Sequence, residues 1–286
     1  QKCVHVPAMN ELLNDALVRQ KLSGLGQQIV ELEAKIASTA GSTSVSGVSS
    51  FTEIETGDRV SMGIPWLDSR IGQGKGPVLG SVMGILAGQG TGKTSLGIQM
   101  GVAQALQQRH ALLVLAEEGL SRTIKRRILA CTTGIPTTEL EAAKDDVQAA
   151  AEKHGNKTAV AERIAAMDKY LHVLDLVNGR GDLSRIFAEI DSLKMEGKHL
   201  TYVYVDWAGP IADRMMGAGY NGMQFTKRYD ALKILASELA FNASRSNTII
   251  AVSHQMAGAQ FKKGAFAESD QYCAMDCSTF TEMFKY

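Results

Sequence analysis

The most constraining feature of this chain is a glycine-rich bend between two apolar segments, "ILAGQGTGKTSLGIQM" at residues 85–100. It aligns with the phosphate-loop pattern from Ala87 to Thr94, with alanine where the pattern usually has its first glycine. Small residues let backbone amides turn inward around phosphate oxygens, and the following helix adds its positive N-terminal end. An apolar run before the bend, Gly-Lys-Thr within it and helical periodicity after it predict a nucleotide site rather than a simple turn.

The residues of this bend have separable expected roles. We expect Lys93 to neutralise the β- and γ-phosphates of ATP, and the Thr94 hydroxyl to hold Mg²⁺. ATP and Mg²⁺ are therefore the predicted ligands. The residues expected to surround the phosphates are Gly88, Gln89, Gly90, Thr91, Gly92, Lys93, Thr94 and Ser95.

A second carboxylate anchor for the metal is predicted in "YVYVDW", where Asp206 ends an apolar run. In sheets of this kind the ligand binds at the carboxyl ends of the strands. An aspartate at a strand end can also serve as a helix cap or a turn residue. Because the phosphate loop is already present, we favour the metal role for Asp206.

Hydrolysis also needs a group that orients or deprotonates the attacking water. The segment "LVLAEEGLS" places Glu117 and Glu118 just after an apolar run, at the sheet edge expected for Lys93. Two adjacent acids cannot both point at one site, and we prefer Glu117 over Glu118 as the catalytic residue. Both remain candidates.

The last apolar run, "TIIAVSH", is followed by Gln255. Together with Ser253 and His254, this residue could report on the γ-phosphate. Gln255 is the preferred switch residue because its amide both donates and accepts hydrogen bonds. For His254 a structural or solvent-facing role is the favoured interpretation.

The pattern from residue 54 onward predicts an α/β fold with a mainly parallel sheet. Apolar strands separated by helices imply a sheet that is covered on both faces. The predicted strands lie at 81–87, 111–116, 170–176, 201–207 and 248–254. The predicted helices lie near 93–108, 121–132, 158–169, 182–196 and 225–243.

Three segments organise the chain. Residues 1–37 predict a helical segment whose apolar stripe docks either on its own core or on a neighbouring subunit. Residues 38–53 are rich in serine and glycine and predict a flexible linker. Residues 54–286 are expected to form the α/β domain.

Composition narrows the class of protein. At 45% hydrophobic and 21% charged residues, the 286-residue chain is typical of a globular protein with a large core. No apolar run approaches the roughly 20 residues that span a bilayer, so no membrane association is expected. Lys plus Arg and Asp plus Glu both number 30, so any nucleic-acid binding must come from local patches. The four irregularly spaced cysteines fit a reducing cytosol and predict a cytoplasmic protein.

The order of these segments resembles the RecA-like P-loop motor ATPases, and most closely the ATPase domain of DnaB-type replicative hexameric helicases. The resemblance covers roughly residues 57 to 286. In chain order, the segments that carry it are "GIPWLDSRIG", "AGQGTGKTSLGIQM", "LAEEGLSRTIKRRILACTTGI", "LHVLDLVNGRGDLSRIFAEIDSLK", "LTYVYVDWAGPI" and "YDALKILASELAFNASRSNTIIAVSHQ".

This resemblance implies an ATP-dependent DNA helicase: a homo-oligomer, usually a hexameric ring, that hydrolyses ATP at subunit interfaces and threads single-stranded DNA. Lys93 and Thr94 match the phosphate and magnesium ligands of that family. Glu117 matches its catalytic acid, and Asp206 its second metal-side carboxylate. Gln255 matches the residue that links the nucleotide to the DNA loop.

The resemblance also implies contacts with DNA. The pore-lining loops of the family correspond to residues 212–226 and 256–268, which are rich in glycine and are not expected to be rigid. Basic side chains there could bind a phosphate backbone, although a solvated surface charge is the alternative for each. They are Arg214, Lys227, Arg228, Lys262 and Lys263.

Both ends of the chain depart from the family pattern. The family's arginine finger lies on strands beyond the end of this chain, so no finger residue can be named. The chain would fit a fragment of a larger protein, with a primase or loader protein as a partner.

Two other functions are compatible with these residues. A RecA-like recombinase or recombination mediator would form filaments on DNA instead of rings, and "SNTIIAVSHQ" fits that class nearly as well. A regulatory scaffold would use ATP only as a binding switch. The acidic pair Glu117 and Glu118 argues against the scaffold, because a binding module needs no acid that activates water.

Overall fold

The structure is a computed structural model that describes residues 57–88, 90–153, 156–177 and 183–255. The predicted N-terminal helix and linker, the second predicted pore loop with Lys262 and Lys263, and Gln89 lie outside these described residues, and of Gln255 only the backbone is described. These predictions therefore stay predictions.

The core is a five-stranded parallel sheet in the order β1-β5-β4-β2-β3. This confirms the predicted α/β class and all five predicted strands. Their bounds are Val82–Ala87 for β1, His110–Leu115 for β2, Leu171–Asp175 for β3, Leu200–Asp206 for β4 and Ile249–Gln255 for β5.

The register of the sheet aligns the strand ends that carry the predicted site. Leu115 at the end of β2 lies beside Asp206 of β4 on one side and beside Asp175 of β3 on the other. Ala87 at the end of β1 lies beside Gln255 of β5. The loops that follow β1, β2 and β4 therefore leave the sheet from one common edge.

Nine α-helices connect the strands within the described residues. Five of them, α2, α3, α6, α7 and α9, correspond to the predicted helices. No helix in the described ranges is long and apolar enough to cross a membrane. Their bounds are Pro65–Arg70 for α1, Lys93–Leu106 for α2, Arg122–Thr133 for α3, Thr137–Ala142 for α4, Val147–Lys153 for α5, Lys157–Tyr170 for α6, Leu183–Met195 for α7, Ala208–Ala218 for α8 and Arg228–Ser246 for α9.

The central strands are buried on both faces. Along β4, Val203 and Val205 face a core completed by α7, α8 and α9, while Tyr202 and Tyr204 face a core completed by α2, α3 and α6. Burying a side chain of this size contributes about 1.5–3 kcal/mol. Two apolar faces explain why this strand is almost continuously apolar in the sequence.

Local signals define the start and end of α3. The Ser121 side chain caps its N-terminus by accepting a hydrogen bond from the Ile124 amide at 3.3 Å. Gly134 ends the helix in the left-handed conformation, at φ 78°. Ion pairs from Arg122 and Arg126 to Asp145 then hold α3 against the turn between α4 and α5. These contacts fix the helix that leads away from the acidic loop of the predicted site.

The first predicted pore loop, residues 212–226, is wrong in part. Residues 208–218 form α8, and Ile211, Ala212 and Met215 are fully buried in the core that α8 shares with α9. These three positions share one helix face, and burying that face outweighs the glycine content of the segment. Beyond α8 the chain makes a turn in which Tyr220 and Met223 exchange backbone hydrogen bonds of 3.0 and 2.9 Å.

Candidate active site

The glycine-rich bend forms an open loop between β1 and α2. Gly90 and Gly92 have φ values of 73° and 94°, which are strained for other residues, and a Cβ on either would meet no atom within 4 Å. Gly92 is the N-cap of α2 and has no side chain that could cap the helix. The first N–H groups of α2 are therefore suited to bind an anion.

Lys93 folds back over this loop. Its Nζ donates hydrogen bonds to the carbonyl oxygens of Ala87 at 3.1 Å and Gly88 at 2.7 Å. Burial lowers the pKa of Lys93, and the negative charges of Asp206 and Glu117 oppose this shift. The ammonium group therefore acts in the same electrostatic site as both carboxylates.

A cavity of about 250 Å³ opens at the carboxyl edge of the sheet. It brings together predicted phosphate, metal and catalytic residues from the loops after β1, β2 and β4. It is lined by Gly90, Gly92, Lys93, Thr94, Ser95, Glu117, Glu118, Arg127, Asp206 and Trp207.

Asp206 is the most buried acid of the cavity, with only 5% of its surface exposed. Its Oδ1 accepts hydrogen bonds from the Tyr204 hydroxyl at 3.0 Å and from the Ser253 hydroxyl at 2.8 Å. A buried carboxylate needs such donors to offset its lost hydration. Ser253, which the sequence placed near the γ-phosphate, thus directs its hydroxyl to Asp206.

The two acidic residues after β2 have different surroundings, although both are exposed and both line the cavity. Glu118 lies 3.8 Å from a guanidinium nitrogen of Arg127. Glu117 acts electrostatically on Lys93, whose pKa it raises. The charge of Glu118 is thus offset by Arg127, and Glu117 is the acid associated with the phosphate loop.

Asp175, at the end of β3, anchors the loop that carries both acids. Its Oδ2 accepts a hydrogen bond from the Leu120 amide at 3.0 Å, and its Oδ1 accepts one from the Val177 amide at 2.9 Å. The same side chain therefore joins the loop after β2 to the loop after β3.

The basic residues predicted to bind DNA are distributed around α8 and α9. Arg214 of α8 donates a hydrogen bond to the Ala116 carbonyl at 3.2 Å. Arg228 forms an ion pair of 2.8 Å with Asp213 and lies 5.7 Å from the centre of the Trp207 ring. Lys227, the N-cap residue of α9, is exposed. None of the three lines the cavity.

Three residues near the site were missed by the sequence analysis. Arg127 lies on α3 among several basic residues, and nothing in the sequence distinguishes it from its neighbours. The indole N–H of Trp207 is buried and has no hydrogen-bond partner among the described residues. Tyr204 carried a readable signal, because period-two alternation along β4 places it on the same face as Asp206.

The donor set fits a magnesium–nucleotide complex. Among the described residues, no group of three His, Cys, Asp or Glu side chains could hold a metal ion. Mg²⁺ is commonly held by only one or two protein oxygens together with phosphate oxygens. The Thr94 hydroxyl and the Asp206 carboxylate supply such oxygens at a cavity that also contains Lys93.

Comparisons with known proteins agree with this fold. A scan against protein-family models finds no match, and a search of the curated proteins also finds none. Among solved structures, the chain is similar to the ATPase domain of a DnaB-type helicase, with a TM-score of 0.54 and 18% sequence identity. The match covers 74% of this chain and 70% of that one. It confirms the predicted RecA-like α/β fold.

Proposed function

We propose that this chain is the ATPase domain of a DNA-translocating motor of the replicative helicase type. The observation that carries the proposal is the meeting of Lys93, Thr94, Glu117 and Asp206 at one cavity. The fold shared with an ATPase domain supports the hydrolytic part. The ordered sequence resemblance to DnaB-type helicases supports the motor part.

Each residue has a defined part in hydrolysis. Lys93 exchanges the carbonyl oxygens of Ala87 and Gly88 for phosphate oxygens, next to the free amides of α2. Thr94 and Asp206 would hold Mg²⁺, which supplies positive charge to the phosphates when bound. Glu117 orients a water molecule toward the γ-phosphorus and accepts its proton as ADP leaves.

The DNA-binding part of the proposal concerns the basic residues around α8, α9 and the segment after β5. In a hexameric ring these residues would contact single-stranded DNA along the central pore. Gln255, at the end of β5, would link the state of the γ-phosphate to that segment. The proposed setting is the cytoplasm, with a primase or loader protein as a further partner.

The test compares ATP turnover with and without single-stranded DNA. We expect DNA to stimulate the wild type, and Lys93→Ala to lower turnover by at least about 10²-fold, because it removes the charge opposite the phosphates. Lys157→Ala is the matched control, since that lysine is exposed on α6 and pairs only with the exposed Glu152 in the described residues. Its turnover should equal that of the wild type.

Electron microscopy with DNA and a non-hydrolysable ATP analogue distinguishes the assemblies. Closed rings support the helicase proposal, and open helical filaments support the recombinase alternative. Turnover that does not respond to DNA, together with the absence of rings, would rule out translocation. Turnover indistinguishable from zero with every effector would favour the regulatory scaffold.

A further inference from the structure

We propose that Tyr204 is a positioning residue for the metal side of the site: its hydroxyl, together with that of Ser253, fixes the Asp206 carboxylate in the orientation that binds the ion. The inference rests on the proposed ATPase function and assigns a role to a residue outside the phosphate loop. Tyr204 does not line the cavity and acts only through Asp206.

The hydrogen-bond geometry restricts the rotation of the carboxylate. Both hydroxyl groups bind the same oxygen of Asp206, Oδ1, at 3.0 and 2.8 Å, and Oδ2 takes neither of these bonds. Rotation of the carboxylate about its own axis would break both bonds inside a buried environment. Partners of this kind orient a metal ligand and raise its affinity for the ion.

The position of the Tyr204 ring connects Asp206 to the phosphate-loop helix. A Cβ built on Gly97 would lie only 2.2 Å from the ring, so the ring packs directly against the backbone of α2. The hydroxyl also interacts with the side chain of Thr94, the other expected metal ligand. One phenol therefore relates the groups that approach the ion from β4 and from α2, and it requires glycine at position 97.

The chemistry of the hydroxyl suits this role. Burial raises the pKa of Tyr204 far above its usual range, so the phenol stays a neutral hydrogen-bond donor. Two neutral donors hold Asp206 without cancelling its negative charge, which the cation needs. An arginine or lysine at the same place would compete with the ion.

Tyr202 provides a matched control two residues earlier. It is fully buried on the same face of β4, and its hydroxyl donates to the backbone carbonyl of Gly97 at 3.4 Å. Tyr202→Phe therefore removes an equivalent buried hydroxyl beside the same helix residue and leaves the bonds of Asp206 intact. The two phenylalanine variants differ only in which group loses its donor.

The experiment measures binding of ADP by calorimetry at increasing Mg²⁺ concentrations and again in EDTA. For Tyr204→Phe we expect the half-saturating Mg²⁺ concentration to rise about tenfold, as is typical when a partner of a metal ligand is lost. Its affinity for ADP in EDTA should match the wild type. Tyr202→Phe should keep the wild-type Mg²⁺ requirement, while both variants lose similar thermal stability.

Ser253→Ala, a smaller change at the same oxygen of Asp206, should also raise the Mg²⁺ requirement, and it tests the arrangement even if Tyr204→Phe folds poorly. An unchanged Mg²⁺ requirement in Tyr204→Phe, or equal increases in both tyrosine variants, would overturn the positioning role while the ATPase proposal stands. A wild-type protein that binds ADP without any response to Mg²⁺ would overturn the ATPase proposal and this inference with it.

Discussion

The two edges of the sheet are built from the same strands but treat their titratable groups in opposite ways. At the carboxyl edge, Lys93, Glu117 and Asp206 meet around one cavity. At the amino edge, His110 of β2 and His172 of β3 stack with ring centres 5.3 Å apart and are joined by a 3.1 Å hydrogen bond.

Charge complementarity is the difference between these edges. At the carboxyl edge, two acids oppose the desolvation of Lys93 and favour its charged form. At the amino edge, burial lowers the pKa of His110 and His172, and the nearby charge of Lys198 lowers both further. Partial burial thus produces a chemically active arrangement only where opposite charges converge. The amino edge stays neutral and structural.

The largest effect should come from removing the acid on which the carboxyl edge depends. Glu117→Gln keeps the shape of the side chain but cannot accept a proton, so we expect kcat for ATP hydrolysis to fall by at least about 10²-fold. Nucleotide binding should persist, because the phosphate loop is untouched. Stopped-flow or coupled-enzyme measurement of phosphate release checks this prediction.

Glu118→Gln is the natural control for that variant. Its side chain is half-exposed and lies beside Arg127, so its loss should change kcat far less than the loss of Glu117. If Glu118→Gln proves to be the more damaging change, the catalytic role belongs to the second acid, and the comparison of the two environments misassigned it.

A smaller effect is expected from loosening the loop instead of removing its acid. Asp175→Ala removes the acceptor for the Leu120 and Val177 amides, so Glu117 loses a fixed position. We expect kcat to fall roughly tenfold, less than the ~10²-fold cost of misplacing a reacting group by 1 Å. Steady-state kinetics over a Mg²⁺ titration checks this, and the Mg²⁺ requirement should stay constant.

Asp175→Asn separates loop anchoring from a general loss of structure. Its single carbonyl oxygen can accept from one of the two amides, so kcat should lie between that of Asp175→Ala and the wild type. A Mg²⁺ requirement that rises in either variant would show that Asp175 acts on the metal side of the site and not on the loop.

Much of this arrangement could be predicted from the sequence, because its signals are local. The phosphate loop is a contiguous spacing of glycines, lysine and threonine, and its backbone conformations follow from that spacing. The five strands are short apolar runs separated by helical periods, as expected for a parallel sheet with two covered faces. Once the strands are known, the positions of Glu117 and Asp206 at one sheet edge follow from topology.

The remaining features depend on contacts between distant segments. Helix α8 forms because Ile211 and Met215 are buried in a core shared with α9, and the glycines in the predicted loop obscured that face. Arg127 reaches the cavity because α3 is held through Asp145, 18 residues further along the chain. The hydroxyl of Ser253 reaches Asp206 only because β5 pairs with β4. Periodicity does not report such contacts.

The smallest expected effect concerns the amino edge and its response to acid. Because burial lowers the pKa of His110 and His172, the folded protein binds protons at lower pH than the unfolded chain, whose imidazoles titrate near pH 6.5. The unfolded state therefore binds more protons as pH falls, and stability should decrease between about pH 7 and pH 5.5.

Urea unfolding at about pH 7.5 and about pH 5.5 measures this loss, which we expect to shift the midpoint by less than about 1 M. The double variant His110→Gln with His172→Gln should lose less stability over the same interval. Carboxylates such as Asp145 and Glu196, whose pKa values are lowered by basic partners, lose their contribution only at more acidic pH. An equal loss in both proteins would mean that the histidine pair does not sense acid, and the contrast between the two sheet edges would then rest on the carboxyl edge alone.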